Sequence, residues 1–251
     1  MTAAEQARLD AFWRRALGAP LVVITDFDGT ISQLDVGDLI WERLTPPSPE
    51  TLRRLEAGEV GSRIAYLDST VRVNPAEGEA LADTVAIDPH FAAFAAWTEA
   101  AGVPLAVLSD GFTFYIDRIL KREGLDHLPV LANEWVAPGQ LAWPHGNPAC
   151  DFCGCCKALV TRRLRQSGAR IIYLGDGTSD LFAAAFADWV FARGRLARFM
   201  EENGSPYFPL DSFATPLALL QRERDRFRQG SMEGRVTLPP HPQCRFAASE
   251  S

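Results

Sequence analysis

The sequence has no apolar run long enough to cross a membrane. Its longest apolar stretches, near residues 21–24 and 182–186, fall far short of the roughly 20 residues that a spanning helix requires. Residues 1–17 instead mix charged and apolar positions in the pattern of an amphipathic helix, which a secretory signal peptide does not show. We therefore expect a cytoplasmic protein with no membrane partner.

The sequence also lacks a concentration of positive charge. Its 25 lysine and arginine residues are outnumbered by 32 aspartate and glutamate residues and are dispersed along the chain, which gives a formal net charge of −7. This distribution does not indicate a nucleic-acid surface. There is no internal repeat, and 251 residues with 47% apolar content are enough for one α/β core plus a modest insert. A homodimer stays open as the assembly.

Two aspartates close the most informative segment of the chain. Residues 22–30 read VVITDFDGT, which is a β-branched apolar run followed by Asp26, Asp28 and a glycine. The run predicts a buried strand and the glycine predicts a sharp exit from it, so both carboxylates are expected at the carboxyl end of the strand. Residues two positions apart point to the same side of an extended segment. Asp26 and Asp28 therefore converge, and they repel each other unless a cation or a proton separates them.

Two further apolar runs end in polar residues. Residues 103–111 end in a serine, an aspartate and a glycine, and residues 170–180 carry Asp176 between two glycines and end at Asp180. Each run is followed by a helical pattern, so the polar tips belong to strand-to-helix turns on one edge of a parallel sheet. That edge is where open α/β sheets bind ligands. Between the two runs lies Lys157, at the start of a predicted helix.

Taken in order, the DFDGT segment, Ser109, Lys157 and the GDGTSD segment resemble the four motifs of the haloacid dehalogenase-like phosphatases, in particular the phosphoserine-phosphatase-like subgroup. The resemblance spans residues 21 to about 192. It implies an α/β fold with a Rossmann-like parallel sheet and a helical cap domain inserted after the first strand. It also implies an enzyme, a phosphoric monoester hydrolase.

The chemistry of a phosphate monoester assigns roles to these residues. Its hydrolysis requires a positioned nucleophile and neutralisation of spread negative charge. A carboxylate can act as that nucleophile through an aspartyl-phosphate, and both its position and the resemblance give this role to Asp26. Asp28 would protonate the leaving alkoxide and then activate a water. The expected phosphate-binding residues are Ser109, Asp110, Gly111 and Lys157. An acidic residue at position 110 repels the anion unless its side chain points away.

A carboxylate that attacks a phosphate dianion needs a cation between them. Mg²⁺ suits this position because it keeps octahedral oxygen coordination and binds through few carboxylates together with substrate phosphate. The expected ligands are Asp26, the main-chain carbonyl of Asp28, and Asp176. Thr30 and Asp180 are expected to support the site, and Asp180 would do so either at the metal or by orienting the lysine.

The spacing between the motifs predicts the domain organisation. Residues 33–87 contain helical patterns and no convincing alternating strand, so we predict that they form the cap and that residues 1–32 and 88–228 form the core. The Gly- and Pro-containing residues 229–251 are predicted to be disordered. In the family that the chain resembles, such a cap encloses small phosphorylated metabolites. Asp35, just inside the cap, is a candidate specificity residue, and a helix N-cap role for it stays open.

Four of the five cysteines precede Lys157 at C-x₂-C-x-C-C spacing, after a Gly- and Pro-rich excursion over residues 134–148. They are Cys150, Cys153, Cys155 and Cys156. Such a group can bind Zn²⁺, although adjacent cysteines cramp a tetrahedral site. Packing thiols and redox control stay open as alternatives. We expect no disulfide in a cytoplasmic chain.

The WPH segment at residues 143–145 and the cysteines after it resemble the bacterial phosphatases of methionine salvage. This favours a small keto or enol phosphate as substrate. Phosphoserine, phosphocholine and phosphoethanolamine stay open, with Asp35 to bind an ammonium group. An arginine would be needed for a carboxylate, and the candidates are Arg53, Arg54, Arg63 and Arg72.

Two other functions were weighed. A catalytically silent phosphate-binding protein on this scaffold would be expected to lose the nucleophile or the metal aspartate, whereas this chain keeps both. A dehalogenase has no leaving alkoxide to protonate, so Asp28 argues against that activity.

Overall fold

The computed structural model describes residues 2–244 of the chain. Their centre is a sheet of seven strands in the order β4-β3-β2-β1-β5-β6-β7. All neighbouring strands are parallel except β3 and β4, which form an antiparallel hairpin. The strands are β1 Val22–Thr25, β2 Leu105–Phe112, β3 Val130–Ala137, β4 Gln140–Ala142, β5 Ile171–Gly175, β6 Trp189–Ala192 and β7 Phe208–Pro209. The predicted α/β fold with a parallel sheet is confirmed.

Helices connect the parallel strands and cover the sheet. They are α1 Ala3–Ala16, α2 Val36–Arg43, α3 Pro49–Glu56, α4 Ser62–Asp68, α5 Pro75–Ala82, α6 Phe91–Ala100, α7 Thr113–Arg122, α8 Lys157–Gln166, α9 Asp180–Ala184, α10 Gly194–Glu202 and α11 Ala214–Gln229. No described helix is both long and apolar enough to cross a membrane.

The strand β1 lies at the centre of the sheet and is buried on both faces. Its Val22 and Ile24 pack in one apolar cluster with α1, α8 and α10, whereas Val23 packs in a second cluster with α6 and α11. Alternate residues of a strand point to opposite faces, so a strand covered by helices on both sides must be apolar throughout. This explains the uninterrupted apolar run that predicted the strand.

The helices α2 to α5 are inserted between β1 and β2 and form a helical cap. The two chain segments that lead into and out of it pair with each other through an antiparallel bridge between Ser32 and Ile87. The N–H of Gln33 donates to the carbonyl of Ala86 at 2.9 Å, which extends this neck. The predicted boundary at residues 33 and 87 stays a prediction, and the neck at the same positions supports it.

Two segments differ from their sequence-based predictions. The strand β2 does not end at Ser109 but continues to Phe112, with a register shift against β3 between Leu108 and Phe112. Such a bulge re-aims the side chains within it, here residues 109–111. In addition, the excursion over residues 134–148 contains the hairpin of β3 and β4, which turns at Gly139 with a positive φ of 78°. The Gly- and Pro-rich composition of this stretch does not by itself predict a hairpin.

Residues 230–244 form no helix or strand, yet they lie against the core. The Trp189 indole donates to the carbonyl of Met232 at 3.2 Å, and the N–H of Val236 donates to the carbonyl of Asp188 at 2.9 Å. Leu238 is only 8% exposed. We had predicted disorder after residue 228 from composition, which does not reveal such contacts. Residues 245–251 lie outside the described part of the chain.

The contacts of this segment predict a measurable contribution to stability. Leu238→Ala is expected to lower the free energy of unfolding by about 2 kcal/mol, because it removes buried methyl groups. Leu67→Ala serves as the control, since that leucine is 48% exposed, and it should change stability by less than about 0.5 kcal/mol. Urea unfolding of both variants measures the difference. Equal and negligible effects would show that the segment does not pack on the core in solution.

Candidate active site

The carboxyl ends of β1, β2 and β5 bring the predicted residues together at one edge of the sheet. Asp26 directly follows β1, and its N–H continues the ladder by donating to the carbonyl of Leu174 at 2.9 Å. The chain then turns at Gly29, which has a positive φ of 69°. A Cβ atom there would lie 2.6 Å from a carboxylate oxygen of Asp176, so only glycine fits this turn.

Lys157 lies between two carboxylates at the start of α8. Its Nζ is 2.6 Å from Oδ1 of Asp26 and 2.7 Å from Oδ1 of Asp180, and all three side chains are almost fully buried. Burial alone would lower the pKa of Lys157, but the charges of Asp180 and Asp26 outweigh it and hold that pKa well above its usual value. The ammonium therefore stays charged throughout the physiological range, and it fixes the position of Asp26.

Both carboxylate oxygens of Asp180, the second partner of Lys157, accept two hydrogen bonds each. Oδ1 of Asp180 accepts from the Tyr173 hydroxyl at 2.6 Å as well as from Lys157. Oδ2 accepts from the N–H groups of Asp176 and Gly177 at 2.9 and 2.8 Å. These four donors leave Asp180 little capacity to ligate a metal ion. Of the two roles predicted for it, the geometry favours orientation of the lysine.

Asp26, Asp176 and Asp180 form the only group of three or more histidine, cysteine or acidic residues within residues 2–244 whose ligand atoms all lie within 4.8 Å of one another. One lysine cannot neutralise three carboxylates, and the group keeps two negative charges in excess. Burial and the charge of Asp180 raise the pKa of Asp176 to about 6, and they also raise the pKa of Asp26. A divalent cation would remove this excess, so the donor set fits a hard metal ion.

Asp176 is held in place from the first turn. Its Oδ1 accepts from the Thr30 hydroxyl at 2.8 Å. Arg193, which follows β6, clamps the same turn by donating to the carbonyls of Gly29 and Thr30. This hydrogen bond from Thr30 to Asp176 is consistent with the supporting role predicted for Thr30. Arg193 was missed from the sequence, although its position after a strand next to β5 places it at the same sheet edge.

Asp28 lies at the boundary between core and cap. Its Oδ2 accepts from the Tyr115 hydroxyl at 2.7 Å and from the Ser109 hydroxyl at 3.2 Å, while Oδ1 accepts from the N–H of Val36 at 3.1 Å. Burial raises the pKa of Asp28 to about 6, against the lowering effect of these donors. A carboxyl group with this pKa can both donate and accept a proton near neutral pH. Tyr115 gave no signal in the sequence beyond its place in the first turn of α7.

The remaining predicted phosphate-binding residues lie beside Asp28. Ser109 Oγ accepts from the N–H of Gly111 at 2.9 Å, and a Cβ atom at Gly111 would collide with the Tyr115 hydroxyl. Asp110 also lines the cavity between this edge of the sheet and the cap. Its carboxylate accepts from the Cys155 N–H at 2.7 Å and from the Ser62 hydroxyl of the cap at 2.5 Å. Both oxygens of this acidic residue thus accept hydrogen bonds from within the protein.

An open cavity lies between this edge of the sheet and the cap. Asp26, Asp28, Ser109 and Asp176 line its core side. Asp35 lines its cap side and also caps α2, since its Oδ1 accepts from the N–H of Asp38 at 2.9 Å. Both roles that we considered for Asp35 are therefore compatible with the structure.

The predicted cysteine set is not brought together as a whole. Cys155 is fully buried and its Sγ points to the carbonyl of Leu131, at 3.7 Å, in the cluster beneath the sheet. Cys150, Cys153 and Cys156 instead line a smaller cavity next to the active-site cavity, and Cys153 lines both. No disulfide joins any cysteine.

Comparison with known proteins agrees with this geometry. The sequence profile of the haloacid dehalogenase-like hydrolases matches residues 23–185. The 2-hydroxy-3-keto-5-methylthiopentenyl-1-phosphate phosphatase of Geobacillus kaustophilus is 33% identical over 221 residues, which cover 80% of this chain and 96% of that protein. The protein of the same name from Exiguobacterium sibiricum is 29% identical over 204 residues, covering 76% and 92% of the two chains.

Solved structures share the fold at lower identity. A phosphoserine phosphatase in its apo form superposes with a TM-score of 0.58 at 14% identity and covers 81% of this chain and 98% of its own. The phosphoserine phosphatase of T. onnurineus gives a TM-score of 0.58 at 15% identity, with 82% and 96% coverage. Likeness at this level concerns the fold alone.

The buried lysine predicts a pH-dependent loss of stability. Lys157→Met leaves buried carboxylates without their cation, so we expect the free energy of unfolding to fall by about 3 kcal/mol or more near neutral pH without divalent cations. The variant also loses the charge that lowers the pKa of Asp26. Because that folded-state pKa then lies still further above the unfolded value of about 4, the folded state takes up a proton on acidification and the loss shrinks as pH falls towards about 5.

Lys121→Met is the matched control, since Lys121 is the other lysine of the chain and is exposed. It should change stability by less than about 0.5 kcal/mol at either pH. Denaturant unfolding in the presence of a chelator provides the measurement. A Lys157→Met deficit that stays constant or grows on acidification would contradict the ion-pair arrangement.

Proposed function

The chain belongs to the haloacid dehalogenase-like hydrolases, and we propose that it is a Mg²⁺-dependent phosphatase that hydrolyses a small phosphorylated metabolite through an aspartyl-phosphate. Membership of the family and relatives named as phosphatases make it a phosphoric monoester hydrolase. The observation that carries the proposed mechanism is the pairing of two differently held carboxylates. Asp26 is bound to a buried ammonium, whereas Asp28 is hydrogen-bonded to neutral donors.

Asp26 is the proposed nucleophile. Lys157 holds one of its oxygens, and the residue lines the cavity where a phosphate would bind. A carboxylate anchored in this way loses little freedom when it attacks, so the step gains from orientation. Attack forms a bond between the Asp26 carboxylate and phosphorus and breaks the bond from phosphorus to the leaving alkoxide. A water then attacks the aspartyl-phosphate, which releases inorganic phosphate and restores the carboxylate.

Asp28 is the proposed general acid and base. With a pKa of about 6 it carries a proton for part of the time at neutral pH and can give that proton to the leaving alkoxide. The resulting carboxylate can then take a proton from the water that hydrolyses the intermediate. The Tyr115 hydroxyl holds the group in place through both steps.

Charge on the transferring phosphoryl group must be neutralised. Lys157 and the Ser109 hydroxyl are the proposed donors to its oxygens. Asp26, Asp176 and the main-chain carbonyl of Asp28 would hold Mg²⁺, which supplies positive charge to the phosphoryl oxygens when it is bound. Thr30 and Arg193 keep the metal-binding turn fixed through their contacts with Asp176 and Gly29.

The cavity beyond the phosphate position favours a substrate whose phosphate carries an uncharged, partly apolar tail. Its walls carry Trp41, Val60 and Tyr66 from the cap, together with Phe152 and Phe182 from the core. These side chains suit a thioether tail, because sulfur packs well against aromatic rings. We therefore propose 2-hydroxy-3-keto-5-methylthiopentenyl-1-phosphate as the substrate, in line with the names of the relatives.

Phosphoserine fits this cavity less well. None of the four candidate arginines lines the cavity. Arg53 and Arg54 pair with glutamates of the cap, Arg72 donates to the carbonyl of Pro46, and Arg63 stacks on Trp143. Arg195, at the rim, is the only basic side chain among the described residues that line it. A substrate carboxylate would therefore find one candidate cation, Arg195, and none of the four arginines that the sequence suggested, in a cavity whose cap side carries Asp35, Asp38 and Glu56.

A cationic headgroup is the second candidate. Asp35, Asp38 and Glu56 line the cap side of the cavity near Trp41 and Tyr66. Carboxylates with aromatic faces are the usual partners of a quaternary ammonium group. Phosphocholine and phosphoethanolamine are therefore the alternative substrates that the lining supports.

The division of labour between the two aspartates can be tested with two leaving groups. Asp26→Asn should reduce turnover of any phosphate monoester by at least about 10³-fold, because it removes the nucleophile. Asp28→Asn should slow an alkyl phosphate by about 10²-fold or more but affect p-nitrophenyl phosphate far less, since nitrophenolate leaves without a proton. Steady-state kinetics with and without Mg²⁺ give both values. Near wild-type turnover by Asp26→Asn would refute the mechanism, and equal losses in Asp28→Asn would make Asp28 a structural residue.

Substrate choice is tested by ratios of kcat/KM. The kcat/KM for the methylthiopentenyl phosphate should be at least about 10-fold higher than that for phosphocholine or phosphoserine, because only its tail matches the apolar wall of the cavity. Tyr66→Ala should reduce that advantage more than it reduces hydrolysis of p-nitrophenyl phosphate. A preference for phosphocholine would select the second candidate, whereas a preference for phosphoserine would overturn both substrate assignments and leave the phosphatase chemistry intact.

A further inference from the structure

A cluster of cysteine side chains borders the active site, and one of its members, Cys153, lines both the active-site cavity and the adjoining smaller one. Cys150, Cys153 and Cys156 follow one another at C-x₂-C-x₂-C spacing in the loop that leads into α8. The chain end brings Cys244 to the same place. All four cysteines line one small, partly enclosed cavity whose walls are mostly apolar.

From this arrangement we propose that Cys150, Cys153, Cys156 and Cys244 form a structural Zn²⁺ site. The set draws three ligands from one loop and the fourth from a segment about ninety residues away, as separated-segment zinc sites do. It differs from the set that sequence spacing suggested. Cys155 is replaced by Cys244, which removes the cramping caused by two adjacent ligands.

The exclusion of Cys155 follows from its direction. Its side chain turns into the core beneath the sheet, where its Sγ lies 3.7 Å from the carbonyl of Leu131. Its N–H is taken by Asp110 at 2.7 Å, which fixes the backbone in that direction. The adjacent Cys156 consequently faces the opposite way, towards Phe182 and Cys244.

An unpaired donor points to an anionic occupant of this cavity wall. Asn147 lines the cavity and is only 5% exposed, yet its Nδ2 has no hydrogen-bond partner, while its Oδ1 accepts from the N–H of Ala149 at 2.9 Å. A buried amide donor without a partner is costly. A metal-bound thiolate is an acceptor that would satisfy it, and such hydrogen bonds to ligand sulfurs are typical of metal sites. The backbone N–H of Leu159 already donates such a hydrogen bond to the sulfur of Cys156.

The size of the cavity favours a single ion. It has room for little more than one water-sized particle, which suits one Zn²⁺ and not an iron–sulfur cluster. Among residues 2–244, no three cysteine sulfurs lie within 4.8 Å of one another, whereas sulfurs around tetrahedral Zn²⁺ stand about 3.8 Å apart. Binding therefore requires rotation of cysteine side chains onto the ion.

Metal binding also settles the protonation of the thiols. Without a cation, burial raises the pKa of Cys156 to about 11 and that of Cys153 further, so both are neutral thiols. Coordination replaces the thiol protons, which pass to solvent, and leaves four Zn–S bonds with no change in oxidation state. The complex then carries two negative charges, and the neighbouring Lys157 and Asn147 line the same cavity.

The site would tie the chain end to the catalytic lysine. Cys156 is the residue before Lys157, and Gln243, next to Cys244, lines the active-site cavity. Zinc would therefore fix the start of α8 and one wall of the substrate cavity together.

The test measures metal in the full-length protein after expression with added Zn²⁺ and dialysis against a weak chelator. Wild type and the control Cys155→Ala should each hold about one zinc per chain, whereas Cys150→Ser and Cys244→Ser should hold far less. Asp26→Asn should keep its zinc, which separates this site from the carboxylate group. Replacement by Co²⁺ provides a second readout, because thiolate-to-cobalt charge-transfer bands arise only from sulfur ligands.

Three results would overturn the proposal: no zinc in the wild type, zinc retained by Cys244→Ser, or an iron–sulfur chromophore in place of zinc. If Cys155→Ala were the only variant to lose zinc, the result would refute the proposed ligand set. It would instead support the set that the sequence spacing suggested, which contains Cys155. Circular dichroism of each variant shows whether it is folded. Cys244 is partly exposed, so Cys244→Ser should be folded and its metal content interpretable.

Discussion

The buried ion pair between Lys157 and the two aspartates Asp26 and Asp180 is the interaction on which the site depends. Its three members come from three separate elements: the end of β1, the start of α8 and the start of α9. In a dry environment each charge would be costly alone, and together they are stable only if the backbone places them within hydrogen-bonding distance. These ion pairs thus hold Asp26, the proposed nucleophile, in place.

The group of carboxylates around Lys157 carries more negative charge than the lysine can neutralise. Asp176 adds a third carboxylate that the lysine cannot neutralise, and burial together with the charge of Asp180 raises its pKa to about 6. A site with excess negative charge attracts a divalent cation, and the cation in turn attracts a phosphate dianion. The excess negative charge of the site therefore supports the Mg²⁺-dependent mechanism that we propose.

Sequence patterns predicted the parts of the site that follow from local rules. The apolar runs before Asp26 and Asp176 predicted strands, and parallel strands place their carboxyl ends at one edge, so the convergence of these residues was predictable. Tyr115 and Tyr173 were not, because each acts through a contact that only packing creates. The bulge at residues 109–111 was also missed, since a bulge changes pairing without breaking the apolar pattern.

The chain end and the cysteine loop before α8 were also not predictable from the sequence, because both depend on contacts between distant parts of the chain. Composition predicted a disordered end, yet Leu238 and Val236 pack on the core and carry Cys244 to the loop before α8. Sequence spacing alone groups the nearest cysteines, whereas the folded chain turns Cys155 towards the carbonyl of Leu131 and Cys156 towards Phe182 and Cys244. The active-site lysine follows directly after this loop. Its position is therefore set from two directions, by carboxylates on one side and by the cysteine loop and chain end on the other.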